Sequence, residues 1–393
     1  MATHAAEGTA ARVADRDVVV IQDTSELVLG GRRARANGYG PVGKGGALGG
    51  LVLHAVIAVE AGSGALLGLV DAQVRNRHGN QAEARRSRAT AQKESQRWID
   101  GTARAAEVLA AAHSITGVSD QESDIYEHFA TRPSDTQLIV RACQNRRIAT
   151  TAKHQAASLL PFADGLPEQG RFTVPIPAAP GRTARMAELA LRFSTVSLRK
   201  PRHGAAPDLP KTVTLMLVDV RETSKPKDSK QIHWRLLTTH AVANLDEARR
   251  IVDLYRLRWL VEEFFRTLKT AAFSIEQTDI GEPRAMINFV TAATIAAVTV
   301  MQLVQARDGT TGQNLADAFD PADQPLLEAL SVDLEGKTAR QQNPHSKGSL
   351  AYAAWVIARL GGWTGYYGKP GPKVMRRGLD DFRRIKYGTT LRI

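Results

Sequence analysis

The run Asp17-Val18-Val19-Val20-Ile21-Gln22 constrains the fold more than any other stretch of the chain. Four consecutive β-branched residues lose side-chain freedom in a helix and pack well on a pleated surface, so the run reads as a buried strand. It ends at Asp23-Thr24, and a polar loop rich in Gly and Arg follows from Gly30 to Gly50. Two further strands are expected at 51–59 and 65–72, separated by Gly62-Ser63-Gly64, which completes a three-stranded antiparallel meander.

Residues 93–112 read as a helix, 115–119 as a strand running into Asp120, 123–131 as a short helix and 136–142 as another strand. Strands alternating with helices indicate an α/β sheet with helical cover. From 143 to 245, Pro, Gly and basic residues punctuate short strands at 171–176, 212–220 and 233–238. This reads as a β-rich insertion in which 200–211 and 223–230 are exposed loops. Helix returns at 246–270 and 283–306, then at 313–330 and 348–360, before a basic tail.

Charge narrows the choice of partner. The 393 residues include 52 Lys+Arg against 40 Asp+Glu, a net charge of +12. Such an excess favours a polyanion, because neutralising phosphates releases counterions. Cys143 is the only cysteine, which excludes an intramolecular disulfide and a cysteine-rich zinc site. The N-terminal residues lack an apolar signal core. The longest apolar candidate, 289–304, is interrupted by Thr and Gln and reads as a buried helix rather than a membrane span. A cytoplasmic protein with no membrane partner is the expectation.

The segment 246–270, DEARRIVDLYRLRWLVEEFFRTLKT, carries the most specific pattern. At about 100° per residue from Tyr255, the residues Leu257, Leu260, Val261, Phe264 and Leu268 fall between about 140° and 240° and form a core face. Tyr255, Arg258, Glu262, Arg266 and Lys269 gather within about 80° of one another on the other side, with Trp259 at the margin and Glu263 near the edge. One reading is a solvated face laced by pairs such as Glu262–Arg266. The other is a functional carboxylate, Glu262, set among cations and a phenol.

Several apparent motifs lead nowhere. Gly38-x4-Gly43-Lys44 approaches a P-loop, but position 45 is Gly rather than a metal-binding hydroxyl, and a strand rather than a helix follows. Those glycines, with Arg32, Arg33 and Arg35, read as a basic loop that either approaches DNA or is simply mobile. The ten His residues show no metal-ligand spacing; His54 lies within a strand, packed or near a site. No G-x-S-x-G nucleophile motif occurs.

Tyr255-x2-Arg258-x3-Glu262-x6-Lys269 resembles the YREK signature of the insertion-sequence-four-like transposases. The block VIQDTSEL around Asp23 resembles the first catalytic Asp motif of that family. VSDQESDIY around Asp120 resembles the second, Asp-x-Glu-x-Asp. KESQRW at 93–98, the Trp234-x20-Tyr255 spacing and SLAYAAWVIARLGGW at 349–363 agree as well. The resemblance covers nearly the whole chain from Val18 onward.

The resemblance implies an α/β, ribonuclease-H-like catalytic core interrupted by a β-rich insertion and followed by a helical C-terminal region. Its parts would be an N-terminal stub (1–16), a first core part (17–142), the insertion (143–245), a second core part with the catalytic Glu (246–306) and a C-terminal region (307–393) that is a candidate for dimerisation. Asp23, at the end of a central strand, Asp120, at the end of its neighbour, and Glu262, on a packing helix, would form the catalytic and metal-binding triad. Hard carboxylate oxygens suit Mg²⁺, with Mn²⁺ as a substitute. Two ions would activate a nucleophile and stabilise the leaving oxygen. Tyr255, Arg258, Arg266 and Lys269 would hold phosphates, Trp234 would stack on a base flipped out during hairpin formation, and Arg141 would contact DNA. The partners implied are transposon ends and target DNA, with a homodimer in the DNA complex and the bacterial nucleoid as its location. Only 22 residues precede Asp23, where family members carry an end-recognition domain. That departure leaves a second expectation open: a truncated, non-enzymatic relative that binds DNA or a full-length partner and inhibits transposition.

Overall fold

The computed structural model describes residues 2–77, 94–149, 157–178, 181, 183–203, 205–226 and 229–390. Helix α1 (Ala2–Ala10) precedes the long strand β1 (Asp17–Gly30). Helix α2 (Arg32–Ala36) and strand β2 (Gly40–Val42) lead into the hairpin of β3 (Leu48–Glu60) and β4 (Leu66–Arg75). Then come α3 (Gln96–Val108), β5 (Ser114–Ser119), α4 (Tyr126–Ala130), β6 (Thr136–Arg141) and α5 (Leu159–Asp164). Four strands follow: β7 (Gly170–Ile176), β8 (Arg185–Arg199), β9 (Thr212–Glu222) and β10 (His233–Thr238). The rest is helical: α6 (Leu245–Arg256), α7 (Trp259–Arg266), α8 (Pro283–Ala306), α9 (Gln324–Leu334), α10 (Leu350–Leu360) and α11 (Pro372–Thr390).

All ten strands join one sheet in the order β2-β3-β1-β5-β6-β10-β9-β8-β7, with β4 also on β3. β1 runs parallel to β5 and β5 parallel to β6; the other pairs are antiparallel. The period of two in β1 decides which residue meets which layer. Val18 and Val20 pack with Ala105 and Leu109 of the α3 layer. Val19 and Ile21 pack on the opposite face with Ile251, Val261, Phe264 and Val290 of α6, α7 and α8. Asp23 continues the second series and so turns toward α7. A third cluster lies between α4, α5 and strands β6, β8, β9 and β10, and a fourth joins the end of α8 to α9, α10 and α11. The architecture is a ribonuclease-H-like α/β core followed by a helical C-terminal region.

Several elements differ from their sequence expectation. β1 does not stop at Asp23 but runs on to Gly30, because β3 pairs with it as far as Gly49. Asp23 is therefore mid-strand, although the parallel pairing to β5 ends two residues earlier, at Ile21↔Val118. The expected loop at 30–50 holds α2 and β2. β8, at 15 residues the longest strand, was hidden by the polar residues along its outer face. The strands of the β-rich segment extend the core sheet, β10 hydrogen-bonding to β6. Helix 246–270 is broken: at 257–258 the bonds tighten to Leu257 N–Leu254 O and Arg258 N–Tyr255 O, and Thr267–Ala271 is a π-helical turn. The helix expected at 313–330 is α9, shifted toward the C-terminus, and the basic tail forms α11. Lys93 lies outside the described residues, so the helix expected from 93 is described from Gln96.

α6 starts where its sequence directs. The Asn244 side chain accepts from Glu247 N at 2.9 Å, while the Glu247 carboxylate accepts from Ala243 N. α8 is the one described helix long and apolar enough to cross a membrane. Here it bridges two cores: Met286, Val290 and Ala297 pack under the sheet, and Val300, Leu303 and Ala306 pack in the C-terminal cluster.

Candidate active site

Asp23, Glu262 and Asp120 approach one another around the side chain of Arg258. Asp23 faces α7 from β1, with 19% of its side chain exposed. Its Oδ1 accepts from Thr24 N at 2.7 Å and its Oδ2 from Arg258 Nη1 at 3.1 Å. The same Nη1 meets Glu262 Oε1 at 3.2 Å, one helical turn along. Burial pushes the Asp23 carboxyl up to about 6, against the Thr24 bond and the Arg258 charge, and Glu262 and Asp120 add to the rise.

Asp120 follows the last residue of β5 in extended conformation, and its carbonyl accepts from Ser123 N and Ser123 Oγ. The Tyr255 hydroxyl approaches Asp120 Oδ1 at 3.4 Å, and Arg141 Nη1 stands 3.7 Å from the same oxygen. Tyr255 itself is buried in the apolar core, not on the polar helix face that the wheel assigned to it. Burial first, and the neighbouring Asp120 next, push its hydroxyl up to about 12, so it stays protonated and donates. Burial works against the charge on Arg258, yet Tyr255, Asp120, Asp23 and Glu262 together hold its pKa above the ordinary value.

Trp234, half-buried on β10, meets the Tyr255 ring edge-on with centroids 5.6 Å apart. With Arg141, Gln121, His233 and Arg235 it lines a cleft of about 420 Å³ beside Asp120. Six of the expected residues thus gather here with Trp234: Asp23, Asp120, Glu262, Tyr255, Arg258 and Arg141. Two do not. Arg266 turns outward to Glu263, and Lys269 bonds the Glu26 carbonyl at 2.6 Å and faces Glu276 at 3.4 Å. A wheel of constant pitch put them beside Glu262. The π turn at 267–271 breaks that pitch at Lys269, whereas Arg266, four residues after Glu262 within α7, is drawn aside by its ion pair with Glu263.

Other polar partners appear only in three dimensions. Arg97 donates to Thr24 Oγ1 at 2.9 Å and to Glu122 at 2.9 Å. Thr24 Oγ1 meets His54 Nδ1, His54 Nε2 meets Gln22, and Gln22 donates to Thr102, which meets His128. This buried chain runs behind both Asp motifs and ties β1 to α3 and α4. His54 is both packed, edge-on to Trp98, and near the site. Burial drives it down to about 3, so it stays neutral. The only sequence signal was a set of polar residues at buried strand positions.

The oxygen donors of Asp23, Asp120 and Glu262 suit a hard divalent cation, while the Asp23 carboxyl is raised first by burial and only secondarily by the charges of Glu262 and Asp120. As the side chains stand, no group of three His, Cys, Asp or Glu among the described residues is arranged to hold a metal ion. Arg258 bridges Asp23 and Glu262 instead and neutralises them.

The sequence matches the family model of the transposase DDE domain over residues 62–299, more than half of the chain. The match contains Asp120, Tyr255 and Glu262 and begins after Asp23. With a ribonuclease-H-like sheet carrying acidic residues at adjacent strands and on the covering helix, the chain belongs to the transposase DDE domain family.

Proposed function

We propose that this chain is the catalytic core of an insertion-sequence-four-like transposase, in which Asp23, Asp120 and Glu262 form the triad. The observation that carries this reading is the approach of three carboxylates from β1, the end of β5 and α7 around Arg258. The family acts by phosphoryl transfer on DNA and in general uses divalent metal ions. Asp23, Asp120 and Glu262 would hold Mg²⁺ or Mn²⁺, as two ions, once Arg258 leaves the space between Asp23 and Glu262. When bound, these ions supply activation of the attacking oxygen and stabilisation of the leaving oxygen in an in-line displacement at phosphorus.

The chain's own side chains do the rest. Tyr255, held neutral, orients Asp120 by donating to it. Arg258 and Arg141, already beside the carboxylates, are placed to take a scissile phosphate by charge-assisted hydrogen bonds. Arg266, at the end of α7, and Lys269, in the π turn after it, would contact DNA further along the strand. The cleft next to Trp234 and Tyr255 gives an extruded base an aromatic surface, which supports cleavage through a hairpin intermediate. The substrates are transposon ends and target duplex in the bacterial cytoplasm, held by a homodimer.

The test is nicking of supercoiled plasmid with Mg²⁺ or Mn²⁺ against EDTA. Metal-dependent nicking that Asp120→Ala abolishes is the expected result. Nicking that survives Asp120→Ala would remove Asp120 from the triad.

A further inference from the structure

A second cleft, of about 530 Å³, is built where three segments cross. The end of β8 contributes Arg199, Lys200 and Arg202; the strand-like segment after β6 contributes Arg146 and Arg147; the start of β9 contributes Lys211. Backbone bonds fix the crossing: Arg199 N donates to Arg147 O at 2.8 Å and Lys200 N to Lys211 O at 2.9 Å. Among the described residues that line it, six of nine are cations and none is a carboxylate.

Internal pairing accounts for only part of this charge. Arg146 is committed to Asp124, at 2.8 Å, and the Lys200 ammonium is tied to the Pro207 and Leu209 carbonyls. Arg147, Arg199, Arg202 and Lys211 are exposed and make no ion pair among the described residues. Four unpaired cations around one concavity repel one another, and nothing in the packing requires them there. Such a concavity concentrates a polyanion.

The cleft is also rigidly registered to the candidate active site. Asp124 lies four residues after Asp120; one of its oxygens holds Arg146, and the other accepts from Cys143 N and Gln144 N at 2.9 and 2.8 Å. With its side chain fully buried, Asp124 locks the wall of the cleft to the turn that carries Asp120.

We propose that this cleft binds the phosphate backbone of duplex DNA through Arg147, Arg199, Arg202 and Lys211. The inference rests on the transposase reading for the identity of the polyanion. It extends the DNA path beyond the residues named for the active site, and it requires no base recognition, since every group involved is a point cation or a guanidinium.

The experiment uses the full chain and the triple variant Arg199→Gln/Arg202→Gln/Lys211→Gln, whose altered side chains are exposed and unpaired, so that melting temperature serves as the check on folding. Binding of a fluorescent 40-base-pair duplex is followed against salt in EDTA. The expected result is a loss of affinity of about tenfold or more near 0.1 M salt and a salt slope shallower by about 2 to 3, close to 0.9 per phosphate contact removed. If the wild type binds duplex and the variant matches it in affinity and slope, the cleft is not on the DNA path, while the transposase reading stands. If the wild type binds no duplex, both fail. A third arm adds inorganic phosphate alone: stabilisation of the wild type that the variant loses, with duplex affinity unchanged, would make this a small-anion site and overturn the proposal.

Discussion

Arg258 Nη1 stands 3.1 Å from Oδ2 of Asp23, joining α7 to the middle of β1 across 235 positions of sequence. Its shared contact with Glu262 sets one positive charge between the two carboxylates. Removing it leaves a buried Asp23 against Glu262. Arg258→Ala is therefore expected to lose about 1–3 kcal/mol of stability in EDTA. Because the guanidinium and a divalent cation compete for the same oxygens, Mn²⁺ should raise the melting temperature of Arg258→Ala by more than that of the wild type. Equal Mn²⁺ shifts in the two proteins would show that Arg258 does not occupy the cation position.

Asp23 gives a second, independent reading of the same site. Its folded pKa of about 6 lies above the ordinary 3.8, chiefly through burial. A raised carboxyl favours the protonated folded state, so its stabilising contribution is complete below about pH 4 and is lost as pH rises through 6. The loss by pH 7 is on the order of 2–3 kcal/mol. Asp23→Asn cannot ionise and should gain on the wild type between pH 4 and 7 in the presence of chelator. Chemical denaturation across that range checks this, and parallel stability curves would contradict it.

Glu262 and Glu263 are neighbours with opposite surroundings. Glu262 faces Arg258 and the carboxylates of the sheet; Glu263 pairs with Arg266 at the exposed side of α7. Glu262→Gln should lower metal-dependent nicking by about 10²–10³-fold while melting normally. Glu263→Gln removes only a surface ion pair, worth at most about 1 kcal/mol, and should nick like the wild type. The reverse pattern would move the catalytic carboxylate to Glu263.

The sequence made the site more legible than the path of the chain around it. Asp23 is singled out by the likeness of VIQDTSEL to a family motif, and Glu262 by the helix wheel, in which Val261 and Phe264 fix the buried side of α7. Only the second depends on local periodicity. Tyr255 brings its hydroxyl to Asp120 with its ring buried in the core, a burial that the helix wheel does not show because the tightened turns at 257–258 separate α6 from α7. Lys269 departs from the wheel through the π turn at 267–271, and Arg266 through its ion pair with Glu263. The chain from Thr24 through His54 and Gln22 to Thr102 and His128 was out of reach, since each bond crosses between elements. β8 was missed because its partner strands, rather than its own apolar content, make it a strand.

Packing also decides the sign of a substitution in the C-terminal helices. Gly378 lies inside α11, where replacement by Ala would ordinarily add about 1 kcal/mol of helix propensity. Here a Cβ would stand 1.8 Å from the Ile357 carbonyl oxygen and 2.8 Å from Gly361 N, both backbone atoms of the facing α10 region. Neither can yield unless α11 withdraws from α10, which would open the contacts of Met375, Leu379 and Phe382. Overpacking of this kind costs about 1–3 kcal/mol or more and outweighs the propensity gain. Gly378→Ala should therefore lower the melting temperature by several degrees. Gly388 lies in the same helix with nothing within 4 Å of the added atom, so Gly388→Ala should be neutral or slightly stabilising. Thermal melts of the two variants side by side test this, and a stabilised Gly378→Ala would mean that α10 and α11 do not cross this closely.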